Sequence, residues 1–133
     1  MTKQPRVFVS HANEDSPYAL RLEKLLQEAG VFVYGSVSAR PGTTVFDSLR
    51  DDLKASDLVV FVVPAREGEG RWALAEMGAA RALDKKIVGV IRDPARFANS
   101  SVARSLSGSA LIDASELSPA ALTRTIVASV PLH

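Results

Sequence analysis

At 133 residues with no cysteine, the chain is long enough for one domain with a proper core, and it rules out disulfides, thiolate catalysis and cysteine-bound zinc. Hydrophobic residues are 47% and charged residues 23%, as in ordinary soluble domains, and a net charge of +1 gives no electrostatic footprint for nucleic acid or a membrane surface. No apolar run approaches a membrane span and no signal peptide opens the chain, so a single cytoplasmic domain over residues 1–133 is expected, complete in itself or excised from a larger protein.

Arg6-Val7-Phe8-Val9-Ser10 is a short β-branched and aromatic run, apolar on both faces, as a buried parallel strand reads. A polar loop, His11 to Asp15, follows. Asp15 or Ser16 can cap a helix with Pro17 in its first turn. Leu22, Leu25, Leu26 and Ala29 carry the helical period and Gly30 ends it. Val31 to Tyr34 is the second strand. Gly35 to Gly42 is a long loop, of the kind that is more often functional than idle in a compact α/β unit. Thr43 or Thr44 opens a second helix, with Phe46, Leu49 and Leu53 inward and Asp47, Arg50, Asp51, Asp52 and Lys54 mostly outward.

Leu58 to Val63 is an unbroken apolar run, the expected central strand, and Pro64 stops it. A charged, glycine-containing loop, Ala65 to Gly70, leads into the stretch Arg71 to Leu83, rich in Ala and Leu and free of Pro. On a helical wheel Trp72, Ala73, Ala79, Ala80 and Leu83 form one apolar half, with Glu76 in its middle and Arg81 and Lys85 opposite. Trp72 and Glu76 stand four apart and are neighbours on one face. A carboxylate within an apolar stripe either snorkels to water, pairs with an Arg, or serves chemistry. Ile87 to Ile91 is the fourth strand, Arg92-Asp93-Pro94 a turn, and residues 95–109 are weakly patterned, with Phe97 and Leu106 as candidate anchors. Ala110 to Ile112 is a short fifth edge strand. Pro119 opens a last helix with Leu122, Ile126 and Val127 buried.

Five alternations of strand and helix call for a flavodoxin-like α/β three-layer sandwich: a five-stranded parallel sheet, order 2-1-3-4-5, with helices on both faces. Ligands in such sheets bind outside the carboxyl ends of the strands, near the switch between strands 1 and 3. Ser10-His11-Ala12, the Gly35–Gly42 loop and the start of the Trp72 helix converge there. Glu76, one turn into that helix, can look into the same crevice. Two distant His and no Cys give no expectation of a metal site.

These residues also carry a family resemblance. Val7-Phe8-Val9-Ser10-His11-Ala12-Asn13-Glu14-Asp15 is similar to the opening of Toll/interleukin-1 receptor (TIR) domains, particularly bacterial ones. Gly30 to Tyr34 followed by Arg40-Pro41-Gly42 resembles their second strand and BB loop. Trp72-x-x-x-Glu76 resembles their third-helix motif, and Ile87 to Ile91 their fourth strand. The match runs in order over about residues 6–92. Many members carry an acidic residue where this chain has Gly35 and Ser36.

The resemblance implies a reaction. Many bacterial TIR domains cleave NAD⁺ at the nicotinamide–ribose bond, giving nicotinamide and ADP-ribose or a cyclic isomer, and their essential residue falls here on Glu76. A carboxylate suits an oxocarbenium-like ribose, and a leaving group already cationic needs no second acid. Backbone N–H groups of the Ser10–Asn13 loop and the first helix's N-terminus are candidates for the pyrophosphate. Trp72 or Phe32 can stack on a ring, or each can be plain core. His11 can be a general base or a hydrogen-bonding loop residue. Arg40 can meet phosphate or face solvent. Ser10, His11, Ala12, Phe32, Ser36, Arg40 and Trp72 are thus the expected substrate contacts, with NAD⁺ as substrate and no cofactor. Family analogy adds homotypic self-association, a fused sensor domain and an anti-phage role.

The main alternative is a non-catalytic TIR scaffold acting by TIR–TIR contact in signalling or in interference with host signalling. A two-component receiver, which shares the strand order, is largely excluded: it needs an acidic pair after strand 1, an Asp ending strand 3 and a Lys after strand 5, and those places hold Ser10-His11, Val63-Pro64 and Asp113. A nucleoside deoxyribosyltransferase-like enzyme would also use a Glu, and the Ser-His-Ala opening argues against it. A Rossmann dehydrogenase would need Gly-x-Gly-x-x-Gly after the first strand, which is absent.

Overall fold

The computed structural model describes residues 4–11, 16–35, 45–63, 71–97, 106 and 109–131. Its elements alternate as β1 (Arg6–Ser10), α1 (Ser16–Glu28), β2 (Phe32–Gly35), α2 (Val45–Ala55), β3 (Leu58–Val62), α3 (Arg71–Ala82), β4 (Ile87–Ile91), a one-turn α4 (Pro94–Phe97), β5 (Ala110–Asp113) and α5 (Pro119–Ser129). The strands form one parallel sheet in the order β2-β1-β3-β4-β5, as the sequence predicts.

Side chains of successive strand residues point to opposite faces, so each apolar strand feeds two cores. Val7, Val9, Val60, Val62, Val88 and Val90 pack with Ala19, Leu22 and Leu26 of α1 and Leu122 and Ile126 of α5. Phe8, Val59, Phe61, Ile87 and Ile91 pack with Leu53 of α2, Met77 and Ala80 of α3, and Leu106. Helices therefore cover both faces. Residues of β3 and β4 are buried throughout, whereas the edge strand β5 is largely open. Among the described residues no helix is long and apolar enough to cross a membrane.

Local chemistry sets the boundaries. α1 ends at Gly30, whose φ of +89° closes the turn: the Gly30 N–H donates to the Gln27 carbonyl and the Val31 N–H to the Leu26 carbonyl, each at 3.0 Å. A Cβ here meets nothing within 4 Å, so only the backbone opposes one. Gly30→Ala is expected to cost about 1 kcal/mol through its left-handed φ alone. Chemical denaturation checks this, and an unchanged midpoint would contradict it. At the other end of the chain Ser118 caps α5, its Oγ accepting from the Ala121 N–H at 3.1 Å, with Pro119 next in line. Lys85 Nζ donates to the Lys54 carbonyl and Lys86 Nζ to the Ser129 carbonyl, both at 2.9 Å, satisfying late carbonyls of α2 and α5.

Four sequence expectations give way to the structure. Gly35 belongs to β2 and pairs with Val9, because the parallel ladder extends one residue into the expected loop. Val31 is buried but precedes the strand. The buried side of α3 centres on Met77 and Ala80, while Ala79 and Leu83 are only half-buried. The side chains of residues 71–76, Trp72 and Glu76 among them, lie outside the described residues. The weakly patterned stretch after Arg92 opens with the one-turn α4. Leu106, fully buried, anchors that region as expected. The expected starts at Asp15, Thr43 and Thr44 lie outside the described residues, as do the side chains of Phe46, Leu49 and Phe97.

Candidate functional site

β1 is flanked by β2 and β3, so the strand order reverses across it, and the crevice of this fold lies outside its carboxyl end. Ser10 and His11 stand there. α3 starts on the same side of the sheet and returns to the amino end, where the Lys85 N–H reaches the Ala80 carbonyl ahead of β4. Trp72 and Glu76 are thus carried in the half of α3 nearest the crevice. Their side chains, and all of Ala12, Ser36 and Arg40, lie outside the described residues.

Ser10 and His11 part company across the sheet. Ser10 alternates with Val9 and falls on the side of Phe8, in register with Phe61, facing the α2–α3 layer. It is fully buried, and its Oγ has no hydrogen-bond partner among the described residues. A buried hydroxyl left so costs roughly 1–3 kcal/mol. His11 is 7% exposed and interacts electrostatically with Glu23 of α1, on the opposite layer. It is a buried, charge-coupled residue rather than an open loop histidine.

Glu23 was not among the candidates of the sequence. Burial raises its carboxyl above the ordinary value of 4.5, and the nearby His11 pulls it part of the way back. Its Oε1 is buried without a hydrogen-bond partner among the described residues. The available signal was its spacing, four after Ala19 and three before Leu26, which sets it against the buried face of α1. A raised acid holds its proton in the folded chain after the unfolded chain has lost it. Stability from this group is full below 4.5 and is lost as pH rises through the raised value. Glu23→Gln should therefore improve relative to the wild type between about pH 4 and about pH 7, by under about 1 kcal/mol for a half-exposed group. Urea midpoints at the two pH values test this, and a constant gap would contradict it.

Phe32 is corrected on two counts. It is 47% exposed, because β2 is an edge strand with one neighbour, so it is not core. It also pairs with Arg6 at the amino end of β1, roughly 10 Å down the strand from the crevice. Its ring meets Tyr34 edge-on at 4.9 Å and is not brought to the site.

Two further groups stand at the carboxyl ends. The Arg92 guanidinium sits 4.1 Å from the ring centre of Tyr18; burial raises the Tyr18 hydroxyl and Arg92 opposes that rise. Asp113 accepts from the Ser115 N–H at 3.0 Å and its hydroxyl at 2.6 Å, which holds the carboxyl below its usual value. The cavity between α1 and α5 beside Tyr18, Arg21 and Leu117 has a volume near 60 Å³, too small for a nucleotide. A larger cavity of about 300 Å³, lined by Arg81, Lys85 and Lys86, lies at the amino ends of β4 and β5, away from the crevice.

The family model described as TIR domain matches residues 7–126. The chain belongs to the TIR domain family. No curated protein matches it in sequence. Among solved structures it is similar to the CMP N-glycosidase BcmB of Clostridium botulinum, at 19% identity and a TM-score of 0.62 over 92% of this chain and 98% of that one. It is also similar to the TIR domains of the activated Roq1 resistosome, which recognises the pathogen effector XopQ, at 18% identity and a TM-score of 0.61 over 98% and 87%. The orphan response regulator HP1043 of H. pylori matches at 16% identity and 0.58 over 97% and 100%. At these identities the likeness is one of fold, and it confirms the flavodoxin-like architecture.

Proposed function

We propose that this TIR domain is an NAD⁺ glycohydrolase or cyclase. It breaks the nicotinamide–ribose bond: nicotinamide leaves with the bonding electron pair as a neutral base, and the ribose carbon is taken by water, giving ADP-ribose and a proton, or by an internal nucleophile, giving a cyclic isomer. The observation that carries this reading is the place of the Trp72-x-x-x-Glu76 motif, in the crevice-side half of α3, on the sheet face to which Ser10 turns at the carboxyl end of β1.

The chemistry asks for little beyond that. Glu76 supplies the carboxylate that stabilises the developing positive charge on the ribose, an effect strengthened where water is scarce. The loop after β1 and the N-terminus of α1 supply backbone N–H groups for the pyrophosphate. Trp72 stacks on a ring of the substrate. Ala12, Ser36 and Arg40 complete the contacts in this reading, and Phe32 does not take part. The domain works as an assembly through homotypic contacts, in a bacterial anti-phage effector whose fused sensor drives it together, in the cytoplasm.

Two specific observations favour other readings. The neighbour from C. botulinum is by name an N-glycosidase of CMP, which also cuts a base–ribose bond. Leu20 and Leu111 are exposed at 60% and 46%, which suits a scaffold that acts by contact alone. One experiment separates all three: the purified domain, dilute and concentrated, is given NAD⁺ or CMP and the products are resolved by chromatography. Nicotinamide that rises steeply with protein concentration is expected. Release of cytosine alone would favour a CMP N-glycosidase. No product from either, even with a crowding agent, would favour the scaffold.

A further inference from the structure

We propose that the cavity at the amino ends of β4 and β5 binds a phosphate-bearing small molecule of about mononucleotide size. The site is separate from the crevice and does not depend on the reaction proposed for Glu76.

The parallel register builds the cavity. β4 starts at Ile87, and Val88 stands opposite Ala110, which brings Ser109 beside Ile87 at the amino ends of the strands. α3 ends just before, at Ala82, and carries Arg81 to the same end, while Lys85 and Lys86 lie in the short connection to β4. Arg81, Lys85, Lys86, Ile87, Ser109 and Ala110 together line about 300 Å³. Small-molecule sites start at roughly 300 Å³, so a mononucleotide suits this one better than a dinucleotide.

The lining chooses the ligand's charge. The whole chain balances 16 basic residues against 15 acidic ones. At this cavity the balance is broken: three cationic side chains and one hydroxyl line it, with no carboxylate among the described residues. Asp84 adjoins Lys85 in the chain and stays outside that lining. The lysines also hold helix ends, Lys85 Nζ donating to the Lys54 carbonyl and Lys86 Nζ to the Ser129 carbonyl, each at 2.9 Å. An ammonium has three N–H donors, so each keeps two for a ligand. The same bonds tether both arms, to α2 on one face of the sheet and α5 on the other, which lowers the entropy lost when an anion orders them. Phosphate oxygens accept such N–H groups in strong, charge-assisted bonds. Ile87, buried at the wall, and Ala110 add carbon surface, which favours an organic phosphate over the bare ion.

Isothermal titration with AMP, and separately with inorganic phosphate, tests this on the wild type, Lys85→Gln, Lys86→Gln and Lys24→Gln. Lys24, exposed on α1, is the control for diffuse charge. AMP should bind once per chain and more tightly than inorganic phosphate. Each cavity variant should weaken AMP by about tenfold or more, and Lys24→Gln by less than about twofold. Urea unfolding without ligand shows that each variant is folded, and Arg81→Gln, which leaves both helix-end bonds in place, replaces any lysine variant that is not. AMP binding that the cavity variants leave unchanged would belong elsewhere on the chain and would overturn the proposal. So would equal weakening by Lys24→Gln, inorganic phosphate binding as tightly as AMP, or no saturable binding of either probe at millimolar concentration.

Discussion

Glu76→Gln is expected to lower kcat for nicotinamide release by about a thousandfold while leaving the folded chain intact. The substitution keeps the size and planar shape of the side chain and removes only its charge. In the proposed reaction that charge faces the positive ribose that forms as nicotinamide departs. Losing one such electrostatic partner in a water-poor site costs roughly 3–4 kcal/mol of transition-state stabilisation. In the proposed reading the substrate is held mainly by phosphate and ring contacts, so KM should move little. Thermal melting should stay near that of the wild type, because the substitution keeps the side chain's volume and the buried core of α3 is made by Met77 and Ala80. A variant that retains more than about a tenth of wild-type turnover would remove Glu76 from the mechanism.

Phe8→Ala is expected to be the most damaging single change to the fold. Phe8 is fully buried on β1, next to the central strand, and ties β1 to Leu53 of α2 and to Met77 and Ala80 of α3. Truncating such a ring removes its burial energy and leaves a cavity that a sheet cannot close, at about 4 kcal/mol. Domains of this size carry only about 5–15 kcal/mol in total. The melting temperature should fall by roughly 10–20 °C. Calorimetry checks this, and a drop of less than about 4 °C would mean that the core repacks around position 8.

The strands were legible because they are runs of Val, Ile and Phe with few polar interruptions, and the parallel order followed from helices inserted between them. What was missed depended on neighbours. Gly35 carries no strand signal of its own and joins β2 only because Val9 is opposite it. Met77 fell outside the expected stripe of α3 because an alanine-rich helix has little contrast between its faces. Phe32 is different: the strand order already placed β2 at the edge, and its exposure followed from that order, not from the residue's own preference.

The site divides in the same way. The proposed location at the end of β1 comes from the strand order, and the proposed role of Glu76, in the first half of α3, from the resemblance of its motif. The side of the sheet to which Ser10 turns was implicit in the alternation of β1, yet the burial of its hydroxyl without a hydrogen-bond partner among the described residues became visible only in the structure. Glu23 lies on another element from His11, and nothing local to either residue announces the pair. Polar groups that matter by proximity across a layer are the ones a linear reading loses.

The most direct test of the central claim uses NAD⁺ labelled in the nicotinamide ring, with the concentrated wild-type chain and Glu76→Gln run side by side. Free labelled nicotinamide from the wild type, with at most a trace from the variant, is the predicted result. Equal release from both proteins, or none from the wild type at any concentration, would contradict it.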